Sequence, residues 1–245
     1  MHAEWLHPDW PAPACVRALS TTRSGGVSTG VYSSLNLGEH VSDTPEAVAE
    51  NRRRLQAEIG TAHPRWLAQV HGTRVVALEG SAVKEPADAS VTSKAGEACV
   101  IMTADCLPVL FCDRAGTRVG AAHAGWRGLS AGVLEATVAA MQAAPGELLA
   151  WMGPAIGPEA FEIGDDVRQA FMTHRPEAAQ AFRAGKVHGK WWCDLYLLAR
   201  QRLEAIGVNA VYGGGFCTYT DEEKFFSFRR DGQCGRMATL IYIED

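Results

Sequence analysis

The sequence lacks every feature that would tie it to a membrane, a secretory route or a nucleic acid. No segment reaches the roughly 20 apolar residues that cross a bilayer. The longest apolar stretch, Cys99 to Cys112, is broken by Asp105 and Pro108. Met1-His2-Ala3-Glu4-Trp5-Leu6-His7-Pro8 has neither the basic start nor the apolar run of a signal peptide, so a cytoplasmic protein is expected. The seven cysteines are odd in number and widely spaced, with no C-x-x-C pair, which argues against a disulfide framework or a structural zinc knuckle. Lys plus Arg is 23 against 28 for Asp plus Glu, a net charge of −5, and no basic stripe stands out, so no nucleic-acid polymer is expected as partner. The one tight basic run, Arg52-Arg53-Arg54, falls in a helical pattern beside Glu50 and Glu58 and reads as a solvated helix face. A Rossmann fingerprint and a Walker A sequence are both absent.

What is present is a globular composition, 47% apolar and 21% charged over 245 residues, without repeats, low-complexity tracts or linkers. One domain spanning 1–245 is expected. Val16–Thr22 reads as a strand and Arg23–Ser28 as a glycine turn. Thr44-Pro45-Glu46 opens a helix with a capping hydroxyl, proline at the first position and an acid in the first turn. Ala47, Val48, Leu55 and Ile59 form its apolar face, and Gly60 stops it. Trp66–Val70, Val75–Leu78, Val100–Thr103, Val109–Cys112, Val119–Ala122 and Leu148–Met152 read as buried strands. Leu129–Met141, Asp165–Met172 and Leu195–Leu203 read as helices, the last continuing to Gly207. Phe225–Phe228 and Met237–Ile243 read as closing strands. Strands outnumber helices and alternate with them only in part. This predicts an α+β fold, with mixed β-sheets covered by helices, rather than a doubly wound sheet.

Three chain breaks after apolar strands carry side chains able to ligate a metal: Gln69-Val70-His71-Gly72, Ala104-Asp105-Cys106-Leu107-Pro108, and His123-Ala124-Gly125-Trp126-Arg127-Gly128. Two imidazoles and a thiolate make a three-ligand set with the fourth position open, as in catalytic rather than structural zinc sites. The same residues allow a metal-free reading, with Cys106 as nucleophile, His123 as base, and Asp105 as orienter or turn cap. Arg127, at the start of a helix, is a candidate anion seat, as are Arg23 in the first glycine turn and Arg229-Arg230 near the C-terminus. Trp191, Trp192, Phe225, Phe226 and Phe228 read as core rather than as a stacking platform.

The motifs taken in order say more. Thr21-Thr22-Arg23-Ser24-Gly25-Gly26-Val27-Ser28 precedes Ser34-Leu35-Asn36-Leu37-Gly38 and the three breaks above. Gly153-Pro154-Ala155-Ile156-Gly157 and Phe225-Phe226-Ser227-Phe228-Arg229-Arg230-Asp231 follow them. Over nearly its whole length the chain resembles the YfiH family, also called peptidoglycan editing factor or laccase-domain (polyphenol oxidase) proteins.

The resemblance implies a zinc-dependent purine nucleoside enzyme. It would phosphorolyse adenosine, inosine and S-methyl-5′-thioadenosine to free base and ribose 1-phosphate, and deaminate adenosine. It implies His71, Cys106 and His123 as zinc ligands and catalytic centre, purine nucleosides and phosphate as partners, and the YfiH-like fold shared with cysteine hydrolases; Arg23, Arg127 and Arg230, read above as anion seats, are the substrate-binding candidates. Other readings are a metal-free Cys-His hydrolase acting on peptidoglycan precursors, a non-catalytic binding protein, and a copper polyphenol oxidase. The last fits poorly, because four coppers need on the order of ten histidines in paired motifs. This chain has eight and no H-x-H pair.

Overall fold

The computed structural model describes residues 5–81, 84–173 and 175–244. Two mixed sheets lie face to face. The larger runs in the order Ala210–Gly213, Leu148–Met152, Leu107–Asp113, Val119–Ala124, Ala89–Thr92, Val75–Ala77. The smaller runs Val16–Ser20, Met237–Ile243, Glu97–Thr103, His63–Arg65. Most neighbours are antiparallel, but the Val75–Ala77, Ala210–Gly213 and His63–Arg65 strands pair in parallel, so the sheets are mixed as expected.

The side-chain period of two explains why the central strands read as unbroken apolar runs. Val109 and Phe111 point to one face, against Leu134 and Val138 of the helix Val133–Ala140. Leu110 and Cys112 point to the other, against Ile101 and Ile241 of the second sheet. That sheet's far face, with Val100 and Leu240, packs on Leu55 and Ile59 of the helix Pro45–Ile59. The layers are thus helix, sheet, sheet, helix, and the central strands are covered on both faces while the edge strands are partly exposed. A third, three-stranded sheet of Phe182–Ala184, Lys190–Cys193 and Glu162–Gly164 was not expected from the sequence; its strands are too short to show a period.

Several expectations are corrected. The helix read over Leu129–Met141 is two helices, Trp126–Ala131 and Val133–Ala140, because Gly132 takes φ 105° and turns the chain between them. Trp66–Val70 is not a strand. The pairing strand is His63–Arg65, and further on the Gln69 amide replaces backbone pairing, accepting from Met102 N at 2.8 Å and donating to its carbonyl at 2.8 Å. Phe225–Phe228 is not a strand either. Ser227 caps a one-turn helix, Phe228–Asp231, its hydroxyl accepting from Arg230 N at 3.2 Å. Thr44 makes no side-chain cap on its helix. Arg53 and Arg54 pair with Glu50 on the solvated face as read, but Arg52 turns inward, its guanidinium 3.9 Å from the Trp66 ring centre.

The first two motifs are structural. Asn51 is fully buried on the core side of its helix. It accepts from Val27 N at 2.9 Å and donates to Ser28 Oγ at 2.9 Å, Ser34 O at 3.2 Å and Asn36 O at 2.8 Å. One side chain thus holds both segments, Thr21–Ser28 and Ser34–Gly38, against the helix. Asn51→Ala is expected to cost roughly 3 kcal/mol in urea unfolding, because buried partners lose their mate. A loss near zero would mean that water or local collapse replaces the amide.

Candidate active site

The three breaks meet at one end of the larger sheet. His123 lies on the Val119–Ala124 strand, opposite Pro108, and Cys106 immediately precedes the neighbouring strand Leu107–Asp113. His71 comes from the Gln69–Gly72 loop, where it takes φ 60°. The ligand atoms of His71, Cys106 and His123 lie within 4.8 Å of one another. Cys106 Sγ is 3.9 Å from His71 Nε2, and the imidazole rings meet edge to face with centres 4.7 Å apart. Among the described residues this is the one group of three or more His, Cys, Asp or Glu side chains placed to share an ion.

Asp88 organises the group and was missed in the sequence. Fully buried, its carboxylate accepts from His123 Nδ1 at 2.8 Å and from three successive backbone amides: Val70 N at 3.2 Å, His71 N at 2.8 Å and Gly72 N at 2.7 Å. One acid therefore fixes both the His123 ring and the loop that carries His71. With Nδ1 committed to Asp88, His123 has only Nε2 free for the site. The orienter considered in the sequence, Asp105, does other work. Its carboxylate accepts from Thr218 Oγ1 at 2.6 Å and from Arg229 N at 2.7 Å, pinning two loops beside Cys106.

Burial pushes the Cys106 thiol up, but His123 and His71 more than offset this and leave it at about 6. Burial pushes His123 down, while Cys106 and Asp88 outweigh it and raise the imidazole. Without a metal the pair therefore tends to thiolate beside imidazolium. A cation would take the place of that shared proton.

The donors suit a metal. A Cβ added at Gly125 would sit 3.0 Å from Cys106 Sγ, 3.1 Å from His71 Cδ2 and 3.6 Å from His123 Cε1. The space between the three side chains is thus kept clear by a residue with no side chain. Two imidazoles and a thiolate are a borderline-soft set, and a carboxylate behind one imidazole is the usual outer partner of a ligating histidine.

A cleft of about 630 Å³ opens over this group. Of the arginines singled out in the sequence, Arg127 lines it, together with Arg229 and Arg236. Arg23 and Arg230 lie away from the lining. Arg23 donates to Ser33 O at 3.0 Å and Glu222 O at 2.9 Å, whereas Arg230 donates to Thr218 O at 2.8 Å and Phe225 O at 2.9 Å and pairs with Asp231. Both brace loops. The Arg127 guanidinium has no hydrogen bond or ion pair among the described residues and rests 4.4 Å from the Trp126 ring centre. Arg236 donates to the Cys234 and Gly235 carbonyls and also has no acid partner there. In a chain of net charge −5, this cleft gathers cationic side chains whose one lining carboxylate, Asp105, is already spent on loop contacts.

The family described as multi-copper polyphenol oxidoreductase laccase matches residues 17–244. The chain belongs to that family. The chain is similar to a purine nucleoside phosphorylase of Pseudomonas aeruginosa, 58% identical over 241 residues, which cover 98% of this chain and 99% of the relative. It is also similar to purine nucleoside phosphorylase YfiH of Escherichia coli, 54% identical over 239 residues, 96% of this chain and 97% of the relative. The crystal structure of a Neisseria meningitidis protein, 55% identical, superposes with a TM-score of 0.94 over 98% of this chain and 99% of that one. YlmD from Geobacillus stearothermophilus, 33% identical, does so with a TM-score of 0.93 over 100% of this chain and 98% of that one. The YfiH-like α+β fold expected from the motifs is therefore present. Among the described residues, no helix is long and apolar enough to cross a membrane.

Proposed function

We propose that this protein is a zinc-dependent purine nucleoside phosphorylase. It would convert adenosine, inosine and S-methyl-5′-thioadenosine to free base and the sugar 1-phosphate, and deaminate adenosine as a side reaction. The observation that carries the reading is the convergence of His71, Cys106 and His123 on one clear space at the floor of a cationic cleft. The phosphorylase names of its relatives support it. The family's copper description is less well supported by the side chains. A thiolate with two imidazoles suits zinc, and several coppers need several such groups.

Bound to His71, Cys106 and His123, zinc would supply a Lewis acid at the floor of the cleft. The remaining work falls to the protein. In phosphorolysis a phosphate oxygen bonds to the anomeric carbon, the glycosidic C–N bond breaks, and the electron pair leaves with the base, which takes up a proton. Arg127, whose donors are uncommitted, holds the phosphate in reach of the sugar, with Arg229 and Arg236 adding positive charge along the cleft. Asp88 keeps His123 in one tautomer and the His71 loop in place. Trp126, Ile156 and Phe161 in the lining exclude water that would otherwise compete with phosphate. For deamination the competing nucleophile is water, which replaces the 6-amino group and releases ammonia.

Arg127→Ala is expected to raise KM for phosphate roughly tenfold or more while moving KM for nucleoside far less, the size of one charge-assisted contact. Equal shifts in both would assign Arg127 to packing on Trp126 instead.

One observation favours a second reading. Cys106, His123 and Asp88 are placed like the nucleophile, base and orienter of a thiol hydrolase, which would act on peptidoglycan precursors without metal. That triad leaves His71 unexplained, as well as the bare Gly125 between the three side chains. Turnover of adenosine that requires added phosphate, followed by base and ribose 1-phosphate formation, tests the phosphorylase reading directly. No phosphate-dependent base release, together with cleavage of a peptidoglycan precursor by metal-free protein, would favour the hydrolase.

A further inference from the structure

Besides the histidines, three aromatic side chains line the cleft, and two of them are already covered. The Arg127 guanidinium lies 4.4 Å from the Trp126 ring centre, and the Arg229 guanidinium 5.2 Å from that of Phe161. Phe228 has no ring or cation against it among the described residues, and it is 57% exposed. A large apolar ring left in water is unfavourable, so the question is what holds it there.

Its mount is firmly built. Phe225 and Phe226 just before it are fully buried. Ser227 caps the turn through Arg230 N. The Arg230 guanidinium ties the turn to the carbonyls of Thr218, Tyr219 and Phe225. Arg229 N donates to Asp105, the residue next to Cys106. The backbone that carries the exposed ring is therefore held in place and linked through one carboxylate to the candidate metal-binding group. An aromatic ring has only two side-chain torsions to settle, so on such a mount it loses little entropy on meeting a flat partner.

We propose that Phe228 is the stacking platform for the planar heteroaromatic base of the ligand, and so sets the preference for purines over non-aromatic leaving groups. The proposal rests on the nucleoside reading above. It corrects the sequence-based assignment of Phe228 to the core, which holds for Phe225 and Phe226. A face-to-face contact with a base is tolerant of the exocyclic group, so adenine and hypoxanthine should be accepted alike.

The test is calorimetric titration of the metal-loaded protein with free adenine and, separately, with inorganic phosphate. Phe228→Ala and Phe228→Leu should weaken adenine about 5- to 150-fold, the range spanned by stacking one base on one aromatic ring. Phe228→Tyr, which keeps the ring, should bind adenine close to the unmutated protein. Phosphate affinity and metal content should stay unchanged in all three. Any of three results on adenine binding would overturn the proposal: binding that survives Phe228→Ala, rescue by Leu as good as by Tyr, or no binding by the unmutated protein. Phosphate weakened in step with adenine would do so too, since it would show a merely structural role. The phosphorylase reading fails separately. A protein that binds adenine through Phe228 but does not split adenosine with phosphate keeps the platform and loses that reaction.

Discussion

Cys106→Ala is expected to remove the metal and the nucleoside turnover together. The sulfur is one of three donors around the space below the cleft, and two imidazoles alone hold zinc weakly. The drop in metal affinity should exceed the roughly 10–100-fold typical of losing an outer partner, because here a ligand itself is lost. The fold should survive, since Cys106 precedes its strand rather than packing in the core. Loss of activity in this variant alone does not separate metal chemistry from a thiol nucleophile. Cys106→Asp does. A carboxylate can ligate zinc but cannot replace a thiol in the hydrolase role, so partial recovery of bound zinc and of turnover supports the metal site. Complete inactivity in a Cys106→Asp protein that carries a full complement of zinc would argue for the nucleophile.

Asp88→Asn should come second in size, although Asp88 never touches the cleft. The carboxylate now accepts four N–H groups, from His123 and from residues 70–72. An amide of the same shape brings an NH2 into that cluster of donors. If the NH2 faces His123, the ring must turn to the tautomer with its proton on Nε2, the nitrogen needed for the metal. The His71 amide shares that oxygen, Oδ1, and loses its acceptor too; if the NH2 instead takes the place of Oδ2, the Val70 and Gly72 amides lose theirs. Either way, zinc affinity measured by competition with a chelator should fall about 10–100-fold. The metal-free protein should lose roughly 1–3 kcal/mol of stability as well, since a buried donor goes unpaired. Unchanged zinc affinity in Asp88→Asn would show that the histidines are held by packing alone.

Much of the site is legible in the sequence because chemistry and chain breaks coincide. Cys106 and His123 stand at strand ends of one sheet, where such ends converge, and His71 follows an apolar run that forms a loop and turns at Gly72. The layer order is legible for a similar reason: runs such as Val109–Cys112 are apolar on both faces only when both faces are covered. Asp88 was hidden because nothing local marks it. It sits in Ala87-Asp88-Ala89-Ser90, and only tertiary contact makes its oxygens a hub. The one available signal is an acid flanked directly by small residues, Ala87, Ala89 and Ser90. Phe225 to Phe228 has strand composition and so reads as core, but Ser227 caps a one-turn helix there that carries Phe228 out to solvent. The arginines could not be sorted from sequence, since exposure to the cleft separates Arg127 from Arg23 and Arg230, and exposure is set by distant loops.

Metal content measured together with turnover tests the central claim most directly. Protein purified without added metal is assayed by mass spectrometry for bound ions and by product analysis for adenosine with phosphate, then stripped with chelator and reloaded. The His71–Cys106–His123 site predicts one zinc per chain, loss of base release on stripping, and recovery with zinc. Full phosphorolysis by protein shown to hold no metal would contradict it.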